Sequence, residues 1–251
     1  MSDFGDWYRS VPEITRYWMT GAVVSSLLGR VGLFSPYSML LDWELFAYKF
    51  QIWRPISALF YYPITPSSGF HWLFMIYLLY SYGKSTETGV FGGRPADYLF
   101  MLIFNWICCV ILAFATGIYF LLEPMVVSVL YIWCQLNKDM IVSFMFGAQF
   151  KAVYLPWVLV AFNLILRGTM IELAGVVVGH IYYFLMFSYP QEFSGQALIK
   201  TPEFLYRWFP STVGGVHGFG SAPESRRSAQ GGANAHAGGH QWGRGQQLGS
   251  N

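Results

Sequence analysis

A chain of 251 residues has length for one domain or two, but 55% of its residues are apolar, 20% aromatic and only 11% charged, against roughly 25% charged in an ordinary soluble domain. So little polar surface excludes a soluble globular fold and points to a polytopic, all-α membrane protein. The net charge of +2, with Lys and Arg scattered along the chain, excludes a nucleic-acid binder.

Residues 1–14 form a polar-aromatic segment suited to the membrane interface. Asp3, Asp6, Arg9 and Glu13 precede any apolar run, so the first span is expected to act as its own targeting signal. That span is residues 15–34. A long loop, 35–69, follows. Within it lies Phe50-Gln-Ile-Trp-Arg-Pro-Ile-Ser-Ala-Leu-Phe-Tyr-Tyr-Pro63, mostly aromatic and aliphatic with one guanidinium. An indole has an apolar body and one N–H donor, and an arginine can bury its stem while its head seeks phosphate or water. Trp53-Arg54 therefore suits an interfacial anchor.

Residues 70–82 read as the second span and 83–97, rich in Gly and Thr, as a turn region. The third span is 98–118 and the fourth 119–135, with Pro124 tolerable near a first helical turn. A polar-aromatic loop occupies 136–152. The fifth span is 153–166 and the sixth 169–187, separated by Arg167-Gly168. Cys108, Cys109 and Cys134 all fall inside apolar runs, which suits buried thiols better than a disulfide framework or a metal cluster.

Six spans put both termini on one side. The terminal side would hold Arg9, Arg16, Lys84, Arg94, Lys138, Lys151, Lys200, Arg207, Arg226, Arg227 and Arg244; the other would hold only Arg30, Lys49, Arg54 and Arg167. By the positive-inside rule the termini are cytosolic and the Trp53-Arg54 loop is lumenal or extracellular. The second and fifth spans hold 13 and 14 residues as drawn, against roughly 20 needed to cross a hydrocarbon core. Spans that short thin the bilayer, gain residues from their neighbours, or sit shielded in a bundle.

The sixth span carries Gly175-Val-Val-Val-Gly179. Glycines four apart make a groove for a second helix, so Gly175 and Gly179 are candidate helix-packing residues. Glu172 and His180 flank them. An intramembrane ionisable group is costly and a functional candidate by default; here Glu172 sits near a span end and is expected to be hydrated, and His180 to be a neutral, hydrogen-bonded core histidine. Residues 188–210 read as a juxtamembrane segment. Residues 211–251 are too poor in large apolar side chains to fold alone. Trp242-Gly-Arg-Gly-Gln-Gln-Leu-Gly249, an aromatic and a leucine among glycines, has the form of a short linear binding motif. His236 and His240 lack a third ligand nearby in that tail, so no metal site is expected there.

A membrane serine protease needs a serine at a helix start, flanked by glycines, and a histidine on a neighbouring helix. Gln51-Ile-Trp-Arg-Pro-Ile-Ser57 resembles the rhomboid loop-one signature, and Gly175 and Gly179 resemble the paired glycines of the rhomboid sixth span. No Gly-x-Ser-Gly occurs, however, and the rhomboid histidine position, three residues before the first glycine, holds Glu172. Ser128 in the fourth span has no glycine beside it.

The chain resembles one non-catalytic branch of that superfamily, the Derlins, over nearly its whole length. The resemblance rests on Met1-Ser-Asp-Phe-Gly-Asp-Trp7, Phe50-Gln-Ile-Trp-Arg-Pro55, Gly93-Arg-Pro-Ala-Asp-Tyr-Leu-Phe-Met101, Gln135-Leu-Asn-Lys-Asp-Met-Ile-Val-Ser-Phe144 and Thr201-Pro-Glu-Phe-Leu-Tyr-Arg-Trp208. It implies a six-helix rhomboid-like bundle in the endoplasmic reticulum membrane, without catalysis or cofactor, that supports retrotranslocation of misfolded proteins in ER-associated degradation. Trp53 and Arg54, with Gly175 and Gly179, would sustain the bundle and client engagement. The tail is similar to the family's SHP box, with Trp242 where Phe is usual. Trp242, Gly243, Gly245 and Leu248 would recruit the valosin-containing AAA ATPase. The other implied partners are an ER ubiquitin-ligase complex, misfolded clients, the lipid bilayer and further copies or homologues in an oligomer. Two other readings stay open: an active intramembrane hydrolase using Ser128 or Ser143, and a small-solute channel, for which neither inverted repeats nor paired broken spans are evident.

Overall fold

The computed structural model describes residues 3–144, 147–192 and 199–210. It opens with α1 (Asp3–Ser10) and α2 (Glu13–Val31). The first backbone donors of α2 have no partner within the helix. They are met from a distance: the Glu87 carboxylate accepts Ile14 N–H at 3.1 Å and Thr15 N–H at 2.8 Å, and Thr15 Oγ1 donates to it at 2.6 Å. An anion at a helix N-terminus is favoured by the helix dipole as well. At the other end Gly32, at φ 86°, turns the chain back so that its N–H and that of Leu33 reach Gly29 O and Leu28 O.

Three short helices fold the long loop: α3 (Pro36–Met39), α4 (Trp43–Ala47) and α5 (Arg54–Phe60). Asp42 caps α4 by accepting Leu45 N–H at 3.0 Å. Next, α6 (Gly69–Ser85) continues into a π-helical turn, Thr86–Val90. Then come α7 (Pro95–Thr116), with proline at its first position, and α8 (Leu122–Leu136). A short antiparallel hairpin follows, β1 (Ile141–Ser143) against β2 (Gln149–Lys151), with Val142 opposite Phe150. A 3₁₀ turn, Ala152–Tyr154, leads into α9 (Leu155–Arg167). The chain continues as α10 (Ile171–Tyr183), a π-helical turn Phe184–Ser188, α11 (Tyr189–Glu192) and α12 (Glu203–Trp208).

Helix α8 is the axis of the bundle. Every residue from Leu122 to Cys134 is buried, because α6, α7, α9, α10 and α5 all pack on it. A helix apolar around its whole circumference can only be stable when enclosed like this. The linker before it is also tied in: Tyr119 O accepts Leu41 N–H at 2.8 Å, and Leu121 N–H reaches Ala58 O at 2.9 Å. Those bonds take the place of the first turn that the sequence assigns to the fourth span.

Among the described residues, two helical segments are long and apolar enough to cross a bilayer, Pro95–Thr116 and Ile171–Ser188. The other apolar helices are shorter. The hairpin departs from a purely α expectation: within the expected loop 136–152, Ile141–Ser143 and Gln149–Lys151 pair as a two-stranded sheet. The second expected span, 70–82, extends to Ser85, for Gly83 is no break. A Cβ there would stand 2.9 Å from Thr15 Cγ2, so glycine is the residue that lets α2 and α6 touch. The fifth, 153–166, remains short, its α-helix holding 13 residues.

The last described element docks on α7. Asp97, in the first turn of α7 and 4% exposed, accepts hydrogen bonds from Thr201 Oγ1 and Tyr206 Oη, both at 2.6 Å. Burial, and then the bond to that carboxylate, push the Tyr206 phenol up to about 12.

Candidate functional site

Three features carry the candidate chemistry: the seam between α8 and α10, the folded loop around Trp53-Arg54, and a polar cluster where four helices end together.

The seam is made by glycines. A Cβ at Gly179 would lie 2.8 Å from Ser128 O and 3.0 Å from Tyr131 Cβ. At Gly175 it would collide with Pro124 O and stand 2.9 Å from Val127 Cβ. Both glycines are buried, and the backbones of α8 and α10 approach through the groove they leave. Glu172, Gly175 and Gly179 are thereby fixed on the side of α10 that meets α8.

Trp53 and Arg54 point to different environments. Trp53 is 54% exposed, free to meet an interface. Arg54, expected to send its head toward phosphate or water, is instead 3% exposed. Its Nη1 donates to Tyr37 O at 2.8 Å and Leu40 O at 2.7 Å, its Nε donates to Gln51 Oε1 at 2.5 Å, and its guanidinium lies over the Tyr37 ring. It closes the loop by gathering the carbonyls at the end of α3, a task suited to the fixed fork of donors on arginine. Trp106 Nε1 holds the same loop to α7 through Pro55 O at 2.9 Å.

The polar cluster is where sequence reasoning fell short. His71 lies in the first turn of α6, Glu123 in the first turn of α8, Glu172 in the first turn of α10, and Arg167 closes α9. Carboxylates at helix starts and a guanidinium at a helix end each suit the local dipole. Gly168, at φ 66°, makes the tight turn from α9 to α10 that brings Arg167 alongside. Arg167 Nη1 donates to Glu123 Oε1, and His71 Nε2 stands 3.2 Å from that oxygen. Tyr62 Oη and His71 Nδ1 are hydrogen-bonded at 2.9 Å. Glu172 Oε1 is 3.8 Å from His71 Nε2. Its carboxylate, expected to be hydrated, is fully buried because α8, α7 and α9 pack on α10 and His71 of α6 stands beside it. Neither Glu172 oxygen has a hydrogen-bond partner among the described residues. His71, Glu123 and Glu172 are the residues that could hold a metal ion; one ligand atom from each lies within 4.8 Å of the others. His71 and Glu123 went unnoticed as candidates because they come from separate helices with no local spacing to betray them.

His180, expected in the core, is exposed on α10, though hydrogen-bonded to Tyr131 Oη through Nδ1 at 2.8 Å. Ser128 is wholly buried; it donates to Met125 O at 2.8 Å and accepts from Asn105 Nδ2 at 3.2 Å. That serine is a packing element of α8, engaged by an amide rather than by a base. Cys109 and Cys134 are buried and Cys108 half-buried, all three as free thiols. The tail positions Trp242, Gly243, Gly245 and Leu248 lie outside the described residues.

The described residues form a predominantly helical bundle with two helices long and apolar enough to cross a bilayer, the architecture expected of an all-α membrane protein. The model of the Der1-like family matches residues 11–203. The chain is 55% identical over 250 residues to Derlin-1 of Homo sapiens, covering 99% of each. It is 52% identical over 253 residues to Derlin-1 of Caenorhabditis elegans, covering 99% of this chain and all of that relative. Derlin-1 of Drosophila melanogaster is 42% identical over 249 residues. The chain belongs to the Der1-like family.

Proposed function

We propose that this protein is a non-catalytic, six-span, rhomboid-like factor of ER-associated degradation. It engages misfolded lumenal and membrane proteins, eases their retrotranslocation to the cytosol, and recruits the valosin-containing AAA ATPase through its tail. The observation that carries this reading is the end-to-end similarity to Derlin-1, 55% identity over 250 residues and 99% of each chain for the relative of Homo sapiens. Two structural features support it. Ser128 is buried against Asn105 and the Met125 carbonyl, which leaves no activated nucleophile at the fourth span. The helical run Ala152–Arg167 rises only about 25 Å, against about 30 Å of hydrocarbon in an ordinary bilayer. A bundle with such a helix draws the two interfaces together. Thinning lowers the cost of passing polar backbone through lipid, where each unsatisfied group costs several kcal/mol.

Both termini are cytosolic in this reading, and ATPase binding falls to Trp242, Gly243, Gly245 and Leu248. Deleting residues 242–251 is expected to abolish co-purification of the ATPase and slow turnover of a misfolded lumenal reporter, with membrane insertion unchanged. Undiminished co-purification would overturn the tail assignment. Undiminished turnover in cells lacking the protein altogether would overturn the role in degradation.

A further inference from the structure

We propose that His71, Glu123 and Glu172 form a binding site for a divalent transition-metal ion, with Zn²⁺ the first candidate.

The spacing of the donors fits. His71 Nε2 lies 3.2 Å from Glu123 Oε1 and 3.8 Å from Glu172 Oε1. A tetrahedral ion with bonds of about 2.0–2.1 Å to imidazole nitrogen and carboxylate oxygen sets its ligands about 3.3 Å apart. All three donor atoms lie within 4.8 Å of one another, so binding an ion draws the two carboxylates inward toward the imidazole. Three protein ligands also leave a fourth position for water or another donor.

The second, independent observation is Glu172 itself. It is 0% exposed, and both of its oxygens lack a hydrogen-bond partner among the described residues. An isolated buried carboxylate is heavily penalised, and such groups are paired or coordinate metals. Arg167 does not serve it, being bonded to Glu123 instead.

The surroundings are those of a metal site. Ligating histidines bind a partner through their other ring nitrogen, which fixes the tautomer. Here Tyr62 Oη is 2.9 Å from Nδ1; with Nδ1–H donating to it, the Nε2 lone pair faces the two carboxylates. Ligating carboxylates are in turn hydrogen-bonded, as Glu123 is by Arg167. Arg167 Nη1 is 3.2 and 3.3 Å from the two ring nitrogens. Being equidistant, it is in line with neither lone pair. Its side chain, 28% exposed, borders the route by which an ion enters.

Geometry, rather than charge, separates this proposal from its rival. Two carboxylates, one guanidinium and a neutral imidazole sum to one negative charge; a single proton shared between Glu123 and Glu172 brings that to zero, whereas a divalent ion brings it to +1 and calls for an anionic fourth ligand such as hydroxide. A proton, however, joins two acceptors, whereas three converge here. An ion bound by all three would pin the starts of α6, α8 and α10 together at the end of the bundle.

The test uses the full-length protein purified in detergent, stripped with chelator and titrated with Zn²⁺ alone. One ion per chain is expected, with a rise in thermal unfolding temperature that EDTA reverses. Glu172→Gln should keep the packing but weaken binding by about 10-fold or more, and Tyr62→Phe should cost about 10–100-fold as a supporting-residue change. The paired substitution of His236 and His240 by Ala should leave the titration unchanged, separating this site from the tail histidines. Zn²⁺ binding that survives both Glu172→Gln and Tyr62→Phe would overturn the proposal. So would a wild-type unfolding temperature indifferent to Zn²⁺ but raised by mild acid, which would make the cluster a proton site.

Discussion

Placing a side chain at Gly179 tests the seam most directly. A Cβ at this position lies 2.8 Å from Ser128 O and about 3.0 Å from Tyr131. Ordinary contact would require a retreat of about half an ångström, and close-packed interiors resist such shifts. Neither helix is free to yield. All of α8 from Leu122 to Cys134 is enclosed by other elements, and the atom in the way is backbone rather than a flexible tip. Overpacking costs about 1–3 kcal/mol, while alanine regains about 1 kcal/mol of helix propensity over glycine. Gly179→Ala should therefore destabilise by about 0–2 kcal/mol, and Gly179→Val, bulkier and without that propensity gain, by about 2–4 kcal/mol. At roughly 2–4 °C per kcal/mol for a chain of this size, Gly179→Val should lower the thermal midpoint in detergent by about 4–16 °C. Gly175→Val should act in the same direction, its Cβ meeting Pro124 O. The two will not add, since they open one interface. Val177→Ala, on the exposed face of α10, is the control and should stay within about 0.5 kcal/mol. Turnover of a misfolded client should slow in step with the glycine variants. A Gly179→Val protein that melts with the wild type would refute the claim that α8 and α10 need this contact.

Arg54→Ala should strip two partly buried carbonyls, Tyr37 O and Leu40 O, of their donor, at about 1 kcal/mol each. Faster hydrogen exchange across residues 36–60, with α6 to α10 protected as before, would register it; unchanged exchange would mean the loop holds without its guanidinium. Asp97→Ala should release α12 by removing the acceptor shared by Thr201 and Tyr206, seen as cleavage near residues 199–210 in limited proteolysis. The pH dependence of that docking has a definite sign. Tyr206 is an acid whose pKa rises in the folded state, from 10.0 up to about 12, so its contribution is whole below pH 10 and fades as pH climbs through 12. Tyr206→Phe should abolish this alkaline release.

Much of the architecture was legible because bilayer solvation leaves strong marks in sequence. Apolar runs placed α7 at 98–118 against an observed Pro95–Thr116, and Gly175-x-x-x-Gly179 marked the face of α10 that meets α8. Glycine also misled. Gly83 closed the second expected span because glycine with flanking polar residues resembles a turn, yet in the bundle it is a contact point for Thr15. The helix it continues ends in a π-helical turn whose Glu87 caps α2. Local chemistry distinguishes a glycine that breaks a helix from one that admits a neighbour only when the neighbour is known.

Ionisable residues were the least legible, and for one reason. Arg54 was assigned to the membrane interface from its place in the loop and Glu172 to water from its place near a span end, and both are buried. Position along a chain fixes depth in a membrane but not the angle around the helix, and it is the angle that decides whether a side chain meets lipid headgroups or the bundle interior. For Glu172 the angle follows from the glycines: Gly175 and Gly179, three and seven residues on, share its helix face, and that face is pressed against α8. A carboxylate one turn before a packing glycine must then enter the interior with it. The same arithmetic applied to Glu123 and Ser128 on α8 fails, because a helix enclosed on all sides has no outer face to exclude. Its polar side chains can be assigned partners only from the elements around it, which is why His71, Glu123 and Arg167 came together in the fold and not in the sequence.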